Sequence, residues 1–71
     1  MSDLMRIALR NVGMSWLVSE IKSTNKLIHE GEQLLRGASP TDAIELRKLI
    51  RESREDVKVM TEELNRRRGA L

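Results

Sequence analysis

The single proline of this 71-residue chain lies in the segment "RGASPTD", residues 36–42, and it divides the sequence into two long halves. Gly37 is suited to the left-handed position that ends many helices, and Ser39 is suited to cap the helix that follows. Pro40 fits the first turn of that helix, and Asp42 complements the positive end of its dipole. A helix end followed directly by a helix start predicts a short connection, which places two helices antiparallel.

The helix signals on either side of this connection predict one small helical domain. We expect a first helix over about 3–36, a turn at 37–39 and a second helix over about 40–68. Gly13 and Gly31 lie inside the predicted first helix, where each costs about 1 kcal/mol relative to alanine. Their presence predicts the close approach of another helix at both positions.

Apolar residues recur at every seventh position in both halves, and further apolar or small residues lie between them. This pattern is typical of helices that pack in a coiled coil. The predicted fold class is therefore all-α, an antiparallel two-helix hairpin that resembles a coiled coil. The predicted hairpin core comprises Ile7, Met14, Leu17, Ile21, Ile28, Leu35, Leu46, Ile50, Val57, Met60 and Leu64.

The first helix carries a second apolar stripe, at positions that face away from the predicted hairpin core. A stripe that the chain itself does not cover usually marks an interface in a small protein. We predict that another protein chain covers it. The partner is either a second copy, which completes a helical bundle, or a protein with a groove for this helix. The predicted partner-binding residues are Met5, Leu9, Val12 and, as the anchor, Trp16.

The composition excludes several other classes of function. The chain has no cysteine and one histidine, so it offers no thiolate or imidazole cluster for a metal. It has no phosphate-binding loop, nucleophile elbow or pair of catalytic carboxylates, so we expect neither enzymatic activity nor a cofactor.

Membrane association is also disfavoured by the charge pattern. The longest uncharged segment, "NVGMSWLVS", has 9 residues, and a helix needs about 20 to cross a bilayer. Asp3 and the early arginines fit a signal peptide poorly. Trp16 beside arginines suits a membrane surface, but Asp3 and Glu20 weaken that interpretation. We therefore expect a cytoplasmic protein.

A basic cluster at the open end of the predicted hairpin leaves a second function open. The hairpin would bring Arg66, Arg67 and Arg68 close to Arg6 and Arg10, where they could contact RNA or DNA phosphates. The net charge is only +2, and no aromatic residues are interleaved for base stacking. A solvated helix end that complements the helix dipole is the simpler interpretation.

The turn segment "LLRGAS", residues 34–39, and the two-helix layout resemble the small helical-hairpin co-chaperones of type III secretion needle subunits. The resemblance spans most of the chain. It implies a partner built from helical repeats and a needle subunit that is kept from premature assembly. The second half of this chain contains no aromatic residue, which is a departure from that family.

Overall fold

A computed structural model of the chain describes residues 3–69, which form three helices. These are α1 (Asp3–Leu9), α2 (Met14–Leu35) and α3 (Pro40–Gly69). The two long helices, α2 and α3, pack against each other, and α1 packs on α3. The described residues contain no strand, so the all-α prediction is confirmed.

The start of α3 follows the sequence prediction closely. The backbone N–H of Asp42 donates a hydrogen bond to Ser39 Oγ at 3.2 Å, and the N–H of Ala43 donates to the Ser39 carbonyl at 2.8 Å. Ser39 therefore caps this helix as its side-chain type predicts. The helix extends to Gly69, within one residue of the expected end.

The end of α2 differs from the expectation for Gly37. The N–H of Gly37 donates to the Leu34 carbonyl at 3.2 Å, and the N–H of Ala38 donates to the Leu35 carbonyl at 3.3 Å. No described residue has a positive φ, so the predicted left-handed glycine is wrong. The tightened last turn already satisfies these carbonyls, and a left-handed residue is not required.

The predicted continuous helix over 3–36 is wrong, because the chain leaves helical geometry between α1 and α2. Gly13 precedes α2 in an extended conformation, with φ −69° and ψ 152°. At the end of α1, Asn11 Nδ2 donates to the Ile7 carbonyl at 3.3 Å. A glycine and an asparagine that bonds its own backbone both favour leaving a helix.

The two glycines expected inside the first helix have different roles. A Cβ added to Gly31 would lie 3.1 Å from Ile50 Cγ1, so α2 and α3 approach closely at this point. A Cβ added to Gly13 would meet nothing within 4 Å. The predicted close approach is therefore confirmed at Gly31 and wrong at Gly13, which belongs to the helix break.

The hydrophobic core follows the predicted heptads within α2 and α3 but not across the break. Leu17, Ile28, Ile50 and Met60 are buried. A further five predicted core residues are half-buried: Ile21, Leu35, Leu46, Val57 and Leu64.

Two predicted core residues, Ile7 and Met14, are exposed, at 54% and 43% of their surface. Their assignment to the core is wrong. The heptad phase assumed one uninterrupted helix, and the break turns α1 so that a different face, with Leu9 in place of Ile7, meets α3. Met14 keeps the phase of α2 but is its first residue, and it is exposed at this helix end.

Candidate protein-interaction surface

Three of the four residues predicted to bind a partner lie against the chain's own core. Leu9 is buried in one cluster with Leu17, Val59 and Met60. Met5 and Val12 are partly buried and pack against this cluster. The packing of α1 on α3 therefore buries Leu9 within the chain itself, so Leu9 is not available to a partner. Met5 and Val12 are covered only in part by the same core.

A polar cluster, made of Glu63, Arg66 and Arg67, fixes the helix break against α3. Arg67 Nη2 donates to the carbonyl oxygens of Leu9 and Val12, each at 2.8 Å. Arg67 Nε also donates to Glu63 Oε2 at 2.7 Å. A helix that ends leaves carbonyls without partners, and here one guanidinium from a distant helix binds two carbonyls of the break.

The carboxylate of Glu63 is buried among these arginines. Arg66 donates to it through Nε at 2.9 Å and through Nη2 at 2.8 Å. The hydrogen bonds from Arg66 and then Arg67 lower the pKa of Glu63 from 4.5 to about 2, against a smaller opposing effect of burial. The same contact raises the pKa of Arg66. Glu63 therefore stays ionised at neutral pH.

The arginines predicted to contact nucleic acid are mostly engaged in ion pairs. Arg6 Nη1 lies 2.6 Å from Glu62 Oε2, and Arg66 and Arg67 both contact Glu63. The two remaining members, Arg10 and Arg68, are exposed. The structure thus pairs three of the five with acidic residues of α3.

Trp16 is the one predicted partner-binding residue that remains largely accessible, with 47% of its surface exposed. Leu27 and Leu34 are also exposed. Leu27 lies eleven residues after Trp16, close to three helical turns, and Leu34 lies seven residues after Leu27, close to two turns. The three side chains therefore share one face of α2. We call Trp16, Leu27 and Leu34 the outer stripe of α2.

An open groove of about 640 Å³ adjoins this stripe beside the connection between α2 and α3. Leu34, Leu46 and Leu49 provide its apolar part, and Asp42 and Glu45 provide its acidic part. Gly37 and Ala38 of the connection complete the lining. We call this cavity the turn-end groove. Because Leu34 belongs to both features, the outer stripe leads directly into the groove.

The sequence reasoning missed Leu27, Leu34 and Leu49 as surface residues. The signal for two of them was present, since Trp16, Leu27 and Leu34 follow one helical face. This signal was hidden because each leucine directly precedes a predicted core residue, Leu27 before Ile28 and Leu34 before Leu35. Each pair therefore looks like a single apolar segment of the core.

The described part of the chain gives no sign of metal or membrane-spanning sites. Residues 3–69 contain no group of three metal-ligating side chains. None of the described helices combines the length and apolar character needed to span a bilayer. Comparison with family models, curated proteins and solved structures gave no match.

Proposed function

We propose that this chain is a non-enzymatic protein–protein interaction module. It is an antiparallel helical hairpin that associates with copies of itself to complete a helical bundle in the cytoplasm. The observation that carries the proposal is the exposed apolar surface formed by the outer stripe of α2 and the turn-end groove. Leu34 joins the stripe to the groove, and an exposed apolar patch rimmed by polar residues often marks an association site.

The contacts between the helices support the antiparallel arrangement. Gly31 of α2 approaches Ile50 of α3 near the connection. At the other end of the molecule, Arg67 reaches back to Leu9 and Val12. One contact lies next to the connection and the other joins the segment before α2 to the end of α3, and this order supports an antiparallel hairpin.

The small size of the core supports the need for association. The buried apolar residues number seven within the described chain, and small domains with a limited core often depend on a partner. Fully burying an apolar side chain contributes about 1.5–3 kcal/mol. Trp16, Leu27 and Leu34 are partly exposed, and covering them would supply a fraction of that amount each.

The outer face of α1 supports a role as adaptor or small chaperone beyond self-association. Leu4 and Ile7 are exposed there, on the side of α1 opposite to the buried Leu9. In a bundle formed through α2 this face stays accessible, so it is the surface we assign to a second, different protein.

Nucleic-acid binding is the weaker alternative. A basic surface gains affinity by neutralising phosphates, whereas Arg6, Arg66 and Arg67 are already paired with Glu62 and Glu63 here. Only Arg10 and Arg68 would be available without breaking an existing contact.

Size-exclusion chromatography with light scattering tests the proposed self-association. The chain has a mass of 8.2 kDa, and we expect a particle of twice that mass or a higher multiple at micromolar concentrations. Dilution should return it to the monomer mass. A monomer throughout the accessible concentration range would contradict the proposal.

A further inference from the structure

We infer that two copies of the chain pair through antiparallel α2 helices, with Trp16 of each copy seated in the turn-end groove of the other. This inference rests on the proposed function and specifies its contact. It commits to a second copy of this chain as the occupant of the groove.

The spacing along the outer face of α2 is symmetric. Trp16 and Leu34 are separated by eighteen residues, which is five helical turns, so they lie on the same face. Ser23 and Leu27 are equally distant from the midpoint of that interval. A two-fold axis at this midpoint places Trp16 opposite Leu34 and Ser23 opposite Leu27, as an interface between identical surfaces requires.

The groove has the chemistry that a tryptophan needs. Its leucines, Leu34, Leu46 and Leu49, offer an apolar surface for the indole ring. Asp42 and Glu45 offer oxygen acceptors, and the indole N–H is a donor that requires a partner when it is buried. Tryptophan is among the residues that most often anchor protein interfaces.

The available area is sufficient for a specific dimer. The interval from Trp16 to Leu34 is about 27 Å long at 1.5 Å per residue, and the molecule is 21 Å across. A contact that used this full width of the two-helix layer would cover up to about 570 Å² on each copy, and the total of up to about 1,100 Å² reaches the ~1,000 Å² of a specific interface.

One pair of charges opposes this arrangement. The same symmetry brings Glu20 of one copy opposite Glu30 of the other. Lys26 Nζ lies 4.0 Å from Glu30 Oε1 within each copy, which offsets part of the repulsion. Replacing Glu20 by lysine should therefore tighten the dimer, by roughly fivefold for two new exposed ion pairs.

Tryptophan fluorescence tests the contact directly, because Trp16 is the only tryptophan in the chain. With rising concentration, we expect its emission to move to shorter wavelength as the ring enters the groove. Leu49→Glu and Leu34→Glu should each weaken self-association by about tenfold or more and suppress this shift. Leu34 is about 27 Å from Trp16 along its own helix, so only a second copy can connect them.

Ile44→Glu is the matched control. Ile44 is an exposed aliphatic residue on α3 that does not line the groove, so its replacement should leave the shift unchanged. Circular dichroism should show that all three variants remain helical, since the replaced side chains are exposed. If the chain associates while the groove variants leave the Trp16 emission shift intact, the inference fails and the proposed function stands. If the chain never associates, both fail.

Disulfide cross-linking tests the orientation of the two helices, because the chain has no cysteine of its own. Mixing Glu20→Cys with Glu30→Cys should produce a cross-linked heterodimer. Neither variant alone should cross-link efficiently, because equivalent positions would be about 15 Å apart along the helices. Efficient cross-linking within each single variant would contradict the antiparallel pairing.

Discussion

The sequence predicts Leu9 and Trp16 on one partner-binding stripe, and the structure places them in opposite environments. Leu9 is 3% exposed and packs with Leu17, Val59 and Met60. Trp16 lies on the surface. We therefore expect Leu9→Ala to weaken folding and Trp16→Ala to weaken association. Each substitution should have little direct effect on the other property.

The magnitude for Leu9→Ala follows from its burial. Truncating a buried leucine costs about 2–5 kcal/mol, and the lower part of this range applies because α1 is short and can relax around the cavity. A domain of 71 residues has a total stability of about 4–10 kcal/mol. A loss of about 2–3 kcal/mol corresponds to a fall in Tm of about 8–24 °C for a domain of this size.

Thermal and urea unfolding followed by circular dichroism provide the assay. All proteins are compared at one concentration, because association adds to apparent stability. Trp16→Ala should unfold at a Tm close to that of the parent monomer while losing concentration-dependent mass. The reasoning is refuted if Leu9→Ala keeps its Tm but loses association, since Leu9 would then belong to the interface.

Three further perturbations test the contacts that hold the helix break and the helix crossing. Arg67→Ala should cost about 1–3 kcal/mol through the loss of its hydrogen bonds to the Leu9 and Val12 carbonyls and accelerate amide hydrogen exchange in α1; unchanged exchange would show that the guanidinium does not hold α1. The pKa of Glu63 in the folded state is about 2, below its ordinary value. Its ionisation therefore contributes stability above pH 4.5 that is lost as pH falls toward 2, and Glu63→Gln should remove this part of the pH dependence of Tm. Gly31→Leu should destabilise by about 1–3 kcal/mol through overpacking against Ile50, and recovery in the double variant with Ile50→Ala would confirm the contact, whereas a neutral Gly31→Leu would exclude it.

The dipeptide Ser39–Pro40 and the heptads after residue 14 show how much of the fold is determined by local sequence. The cap at Ser39 depends on bonds between residues three and four positions apart, which sequence spacing specifies directly. The buried positions Leu17, Ile28, Ile50 and Met60 follow from the same periodicity, because an uninterrupted helix keeps its phase. The long helices and most of the core between them were therefore predictable.

The N-terminal segment could not be assigned in this way. Gly13 and Asn11 weaken the helix by about 1 kcal/mol or less each, which is too little to decide between a bend and a continuous helix. The decision comes from contacts made 55 and 58 residues away, where Arg67 binds the Val12 and Leu9 carbonyls. Those contacts turn α1 and thereby bury Leu9.

The sequence by itself thus determined an all-helical chain, the position of the connection and the phase of the two long helices, because these depend on interactions within a few residues. The tertiary structure decided which face of α1 is buried and which apolar residues remain exposed. Once α1 turns back onto α3, Met5, Leu9 and Val12 serve the core. Trp16, Leu27 and Leu34 remain as the exposed stripe that leads into the turn-end groove. The burial of the α1 residues depends on long-range packing energies that no local pattern contains, whereas the shared face of Trp16, Leu27 and Leu34 follows from the phase of α2.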